Sequence, residues 1–439
     1  MPWAANTVRS TTCSLPNNHM TRAQFQQQMA RINSWLLVLL AFVLPVSTSI
    51  TSVTAVLFMA GWLLEGDFKR KFEEIRSNPM SRVVLVYIAV LLVGLLWNDQ
   101  LAASASGIQK QWKMLLMPVF LTAVRPEERW RILWAFIAGM SLMMLSTYLA
   151  WLGFIEHKGV PPGQLTKKSY HVVYNPMLAL SIYLLLYQLI WGRLQSWLRL
   201  VLTGLAALMI INMFMTEGRT GQLAFFILVG VLLFQYLQTS PWKAALALVL
   251  VPPLIFFASY HLSPTFKHRV DLAKKEVEIY KQNPKTSVGQ RLFFWEHSWR
   301  IFQEAPLTGV GTGGFEAAYA ERNKRLSPHM PATDNPHNQY ILSSVQLGLV
   351  GLASLLALFV TQLWLAWKSK DDWGKVRLAF PVFFMVVNLT ESYLLIHETG
   401  ILFSLLCAVL YKLPSVADAS LEGRRQEKSA TLPAELRTR

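Results

Sequence analysis

Apolar windows of near membrane-crossing length recur along this chain, and they constrain its fold more than any motif does. A hydrocarbon core of roughly 30 Å takes about 20 residues of helix to cross. The windows lie at 35–47, 52–65, 83–98, 110–124, 132–154, 172–191, 200–215, 222–238, 244–259, 339–367, 378–396 and 400–413. The windows at 52–65, 110–124 and 400–413 are short for a span, and the first two windows, divided near Pro45-Val46-Ser47, are also compatible with one broken helix. With 53% hydrophobic and only 15% charged residues, the chain carries more apolar surface than a soluble domain can cover. The expected fold is an all-α polytopic membrane protein with about twelve transmembrane helices.

Lys and Arg set the orientation, because positive residues in short loops stay cytoplasmic. Counted through these windows, one set of loops is rich in them: both tails, 66–82, 125–131, 192–199, 239–243 and 368–377. The opposite short loops hold few. Both termini are therefore expected in the cytoplasm, and the net charge of +16 is explained by topology better than by nucleic acid, which is not an expected partner. The division expected is a cytoplasmic tail at 1–34, nine spans at 35–259, a large outer loop at 260–337, three spans at 338–413 and a cytoplasmic tail at 414–439. The first tail is polar and Gln-rich with no small-residue cleavage site, so the first span would act as an anchor rather than a removed leader. The last tail reads as disordered. Cys13 and Cys407 alone cannot form a disulfide framework or a Cys-based metal site.

The extramembrane chemistry is expected mainly in 260–337. Phe266, Val270, Ala273, Val277 and Tyr280 recur at helical spacing, and Asn283-Pro284 ends that helix. A second stripe, Leu292, Trp295, Trp299 and Phe302, suits an amphipathic helix lying on the membrane interface or over a cavity, and Pro306 stops it. The glycine run 309–314 fits a dinucleotide fingerprint in spacing only. It lacks a preceding strand and a parallel sheet, so a flexible turn is expected there. A short helix from Phe315 to Arg325 follows.

Eight of the nine histidines (157, 171, 261, 268, 297, 329, 337 and 397) fall on the non-cytoplasmic side. None has the ligand spacing of a helical metal motif, and the first outer loop, 46–50, has no carboxylate, so metal-free chemistry is expected. The turn Thr216-Glu217-Gly218-Arg219-Thr220-Gly221 lets backbone approach a ligand and presents a guanidinium fork suited to phosphate. Arg291, near the start of the aromatic helix on the same side, adds a second cation where helix N–H groups favour anions. Both are equally readable as partners of lipid headgroups. Lys110 and Lys113 are secondary anion-contact candidates, with snorkelling the simpler role. Glu391, inside the window 378–396, is costly there unless paired; an outer Arg is the expected partner, in a functional or a structural pair. His337, in Pro336-His337-Asn338, is either an incidental neighbour of a helix start or, beside cationic diphosphate binders, a base for a sugar hydroxyl.

Gly-Arg-Thr-Gly at 218–221, Gly-Gln-Arg at 289–291, Pro-Leu-Thr-Gly-Val-Gly at 306–311 and Pro-His-Asn at 336–338, in this order, resemble the O-antigen ligase and polymerase superfamily. The single large late loop and short tail look like the O-antigen ligases of Gram-negative inner membranes. The resemblance implies a GT-C type glycosyltransferase, working in the periplasm without metal or cofactor. It would move a finished glycan from undecaprenyl diphosphate to a sugar of the lipid A-core. It implies Arg219 and Arg291 on the donor diphosphate and His337 as general base, and direct displacement would invert the anomeric centre. Its nearest alternative is an O-antigen polymerase with the same donor, for which two comparably large outer loops would be expected. A lipid or glycan transporter would show broken helices and midplane charges.

Overall fold

The computed structural model describes residues 21–98, 107–157, 160, 164–166, 171–369 and 371–412, and among these it is helical without a strand. The first half comprises α1 (Arg22–Val43), α2 (Thr48–Glu65), α3 (Phe68–Ser77), α4 (Pro79–Val93), α5 (Leu116–Ala123) and α6 (Arg129–Trp151). Then come α7 (His171–Trp191), α8 (Ser196–Met215), α9 (Arg219–Tyr236) and α10 (Pro241–Leu262). Three polar helices follow, α11 (Pro264–Glu278), α12 (Ser287–Glu304) and α13 (Phe315–Leu326). The chain closes with α14 (Gln339–Lys368), α15 (Gly374–Val387) and α16 (His397–Tyr411).

Eight helical stretches among the described residues are long and apolar enough to cross a membrane: Thr48–Glu65, Pro79–Trp97, Pro126–Trp151, His171–Trp191, Ser196–Met215, Arg219–Tyr236, Pro241–Leu262 and Gln339–Lys368. This fits a polytopic membrane protein. Four of the twelve expected windows take other forms. The apolar half of α1 continues a polar, Gln-rich half, and 110–124 divides into a 3-10 turn and the short α5. The window 378–396 is helical only to Val387, and of the window 400–413 the fifteen-residue α16 covers 400–411.

Helix starts follow local chemistry. Ser47, Asn78, Ser263, Thr286 and Asn338 each accept backbone N–H groups at the helix they open, satisfying donors that a helix cannot pair internally. α7 is the most enclosed span, with 83% of its apolar window buried, whereas none of the corresponding window of α10 is. In an apolar solvent an all-apolar helix can face outward at no cost, and α10 presents Val249, Leu250, Leu254, Phe257 and Leu262 to the surroundings.

α12 and α13 build a small second core on the start of α14, from Phe294, Ile301, Phe315, Tyr319, Leu342 and Val345. The buried face of α12 is therefore Phe294, Ser298 and Ile301, one position off the expected stripe. Trp299 is exposed. On α11, Phe266 is buried as expected, but Val277 is exposed and Glu276 buried in its place.

The glycine run is not a flexible turn. α14 is broken at Gly348, whose φ is 62°, and the break separates Val345 C=O from its normal helical donor, Leu349 N–H. Segment 306–311 restores both. Val310 N–H donates to Val345 O at 3.0 Å, Gly311 N–H to Gln346 O at 2.8 Å, and Leu349 N–H to Pro306 O at 2.8 Å. Thr312 N–H then donates to Gly94 O at 2.9 Å and its hydroxyl to Leu91 O at 2.6 Å, which pins the segment to the end of α4. Only glycine fits at the closest approaches. A Cβ on Gly309 would lie 2.5 Å from the Gln346 carbonyl, and one on Gly348 would lie 2.3 Å from the Leu307 backbone.

Candidate active site

His337 sits between the polar helices and α14 in a left-handed backbone conformation, φ 53°, which costs a non-glycine residue about 1–2 kcal/mol. Its neighbours hold it there. Asn335 Oδ1 accepts the His337 N–H at 3.0 Å, a turn that such side chains favour. Asn338 caps α14 through Tyr340 N–H at 3.0 Å and Ile341 N–H at 3.1 Å, while its amide donates to Leu389 O at 3.0 Å. Trp295 of α12 donates its indole N–H to Pro336 O at 2.9 Å, and Phe294 stacks against the imidazole with centroids 6.2 Å apart. The helix-start residues and the histidine are thus one construction.

Glu391 completes it. It lies beyond the end of α15, in the turn 388–396, with its carboxylate buried. His337 Nδ1 is 2.5 Å from Glu391 Oε2; Oε1 accepts from Asn335 Nδ2 at 2.7 Å and from Ser392 N–H at 2.9 Å. The expected partner was an Arg; the structure gives His337 instead. Burial alone would raise the Glu391 carboxyl, but the His337 hydrogen bond and charge, the Ser392 N–H and the nearby Arg291 charge outweigh it. The net effect holds Glu391 below its ordinary value. An ionised carboxylate only accepts, so His337 Nδ1 must carry the proton, leaving the Nε2 lone pair for chemistry.

The arginines converge beside this pair. A pocket of about 100 Å³ is lined by Arg219, Arg269, Arg291, Glu217, Glu391 and His171, among others. Arg219 opens α9 just after the tight Gly218 turn; a Cβ on Gly218 would clash with Asn175 at 2.3 Å, so the turn packs directly on α7. Its guanidinium reaches Ser287 Oγ at 3.1 Å and Glu276 Oε2 at 3.5 Å. Arg291 has no hydrogen bond or ion pair among the described residues. Glu391 lines this pocket and also holds His337, so a ligand against the arginines lies one side chain away from the imidazole.

Arg269, from the middle of α11, escaped the sequence reading because it belongs to no motif and sits among other charges. It pairs with Glu217 of the turn. Lys110 and Lys113 lie elsewhere: Lys110 forms an exposed pair with Asp334 at 3.1 Å. Lys113 does not snorkel. It is 4% exposed and donates to Leu395 O at 2.8 Å, tying down the turn that bears Glu391. Among the described residues no three His, Cys, Asp or Glu side chains gather as a metal site would require, and the cationic groups lining the pocket are the three guanidinium groups.

Residues 204–356 match the family model described as O-Antigen ligase. The match takes in Arg219, Arg269, Arg291 and His337 and stops short of Glu391. A relative in Haemophilus influenzae (strain Rd), described as an uncharacterized protein, is 25% identical over 215 residues, which cover 45% of this chain and 53% of that protein. The chain thus spans about half the length of the curated relative it matches.

Proposed function

We propose, from the premise that residues 204–356 place this chain in the O-antigen ligase superfamily, that it is a GT-C type glycosyltransferase acting as an O-antigen ligase. Its donor is a glycan on undecaprenyl diphosphate and its acceptor a hydroxyl of the lipid A-core, at the periplasmic face of the inner membrane. One observation carries this reading: Glu391 shares the arginine pocket and the His337 hydrogen bond. A diphosphate leaving group and a base for an incoming hydroxyl are what glycosyl transfer requires side by side.

In the proposed step His337 Nε2 takes the proton of the acceptor hydroxyl. The oxygen attacks the anomeric carbon, and the bond from that carbon to the phosphate oxygen breaks. Undecaprenyl diphosphate leaves with the electron pair. Attack opposite the leaving group inverts the anomeric centre. Arg219 and Arg291 stabilise the charge gathering on the phosphate oxygens, an effect that fixed donors at a poorly hydrated site supply strongly. Glu391 stabilises the imidazolium that forms, as the acid of a His-acid pair does.

Among the described residues, 263–338 is the only extramembrane stretch with several helices, which favours a ligase over a polymerase. The transporter reading calls for a broken helix lining a path. α14 is broken, but its break is filled by 306–311. The deciding experiment gives purified protein an undecaprenyl-diphosphate glycan and rough lipopolysaccharide, with chelator present. Capped lipopolysaccharide is expected. Extension of the lipid-linked glycan alone would point to a polymerase, and no transfer at all would end the glycosyltransferase reading.

A further inference from the structure

The arginine pocket holds more than the two guanidinium groups that the motifs suggest. Arg269 lines it beside Arg219 and Arg291, yet it comes from α11. Its Nη2 is engaged by Glu217, while its Nε is buried and has no hydrogen-bond partner among the described residues. A buried guanidinium with an unused donor is an incomplete arrangement, since such donors cost free energy when left unpaired. The acids nearby are not equivalent. Glu391 is committed to His337, Asn335 and Ser392, and Glu276 to Arg219 and the Val288 N–H at 3.1 Å. Among the described residues the Glu217 carboxylate pairs with Arg269 alone, and it stands 37% exposed on the turn that also presents Arg219.

We propose that Arg269 is a third ligand of the donor diphosphate, and that Glu217 occupies it in the empty site and is displaced when the diphosphate binds. The inference rests on reading this pocket as the diphosphate site. Charge supports it. The lining brings three arginines against Glu217 and Glu391, and a diphosphate carrying at least two negative charges is matched better when Glu217 moves away. A planar fork with a free Nε and a competitively held Nη can take two phosphate oxygens at once. The exchange of Glu217 for phosphate also places the cost of binding on the turn 216–221, so that turn reports occupancy of the pocket.

The test is equilibrium binding of undecaprenyl diphosphate and of inorganic pyrophosphate to the full chain in detergent, compared across Arg269→Gln, Arg269→Lys, Glu217→Gln and the double variant. Losing a charge-assisted contact should weaken binding of both probes roughly 10- to 100-fold in Arg269→Gln. Glu217→Gln should tighten binding by about 3- to 10-fold, because it removes the competitor. In the double variant that gain should vanish. Arg269→Lys, which keeps the charge and loses the fork, should fall between wild type and Arg269→Gln. Unchanged binding in Arg269→Gln alongside weakened binding in Arg291→Ala overturns the third ligand and leaves the pocket reading intact. Equal weakening in Glu217→Gln and Arg269→Gln makes the pair a structural tie and also overturns it. If Arg219→Ala and Arg291→Ala bind both probes as wild type does, the diphosphate pocket itself is wrong.

Discussion

Glu391 and His337, 54 positions apart in sequence, meet through a 2.5 Å contact between a buried carboxylate oxygen and imidazole Nδ1. This contact orders the site, because it decides which ring nitrogen is free.

Glu391→Gln keeps the size of the side chain and removes the charge that stabilises an imidazolium. Turnover is expected to fall by about 100-fold or more, with donor affinity changed far less, as when the acid of a His-acid pair is neutralised. Single-turnover rates measured beside undecaprenyl diphosphate binding separate the two. Equal losses in both would mean that Glu391 serves the pocket rather than the base.

The same carboxylate links stability to acidity. A group whose folded pKa is depressed adds stability that is fully present above its unfolded value, about 4.3 for Glu, and is lost as pH falls through the lower folded value. The gap in unfolding temperature between wild type and Glu391→Gln should therefore still be open at about pH 5 and close as pH falls below about 4. A gap that had already closed at about pH 5 would contradict the depressed carboxyl.

Arg291 makes no hydrogen bond or ion pair among the described residues, whereas Arg219 ties α9 to Ser287 and Glu276. Arg291→Ala should weaken donor use about 10- to 100-fold and leave thermal stability within about 0.5 kcal/mol of wild type. Arg219→Ala should lose both donor use and some stability. Thermal unfolding and transfer assays on the two proteins check the contrast.

Trp295→Phe retains the aromatic packing and deletes the indole bond to Pro336 O. The expected loss is about 1 kcal/mol of ordering at the His337 turn. It should appear as a several-fold drop in turnover with undecaprenyl diphosphate affinity unchanged.

Gly348→Ala forces a side chain into a left-handed position and against the Leu307 backbone. Strain of at least about 1–2 kcal/mol, plus undocking of segment 306–311, should lower the unfolding temperature and turnover together. Normal stability would show that the break in α14 is not held as described.

The residues that the motifs mark are those the fold gathers: Arg219 and Arg291 share a pocket, and His337 stands at its edge through Glu391. Their positions were legible because tight turns and helix starts leave local signatures. Relationships between distant segments were not. The partner of Glu391 was misjudged because α15 ends early, at Val387, and the turn beyond it carries the carboxylate to the histidine. Arg269 looked like one charge among many on an amphipathic helix. The run 309–314 looked flexible because its carbonyl partners lie on α14, and nothing local announces that Gly348 opens that helix. The stripe on α12 was read one position off because its tryptophans, suited to an interface, stay partly exposed while Phe294 and Ile301 go inward.

The docking of 306–311 into the opened α14 has a consequence for exchanging parts between related proteins. Val345 C=O, Gln346 C=O and Leu349 N–H belong to one segment, and Pro306, Val310 and Gly311 to another, yet neither set is paired without the other. Within an apolar span each orphaned group would cost several kcal/mol. A chimaera that swaps only the polar helices 263–338 should therefore fail to assemble, however well its surface matches. The transferable cassette is longer, running through residue 349, and it carries the first turns of a membrane span with it.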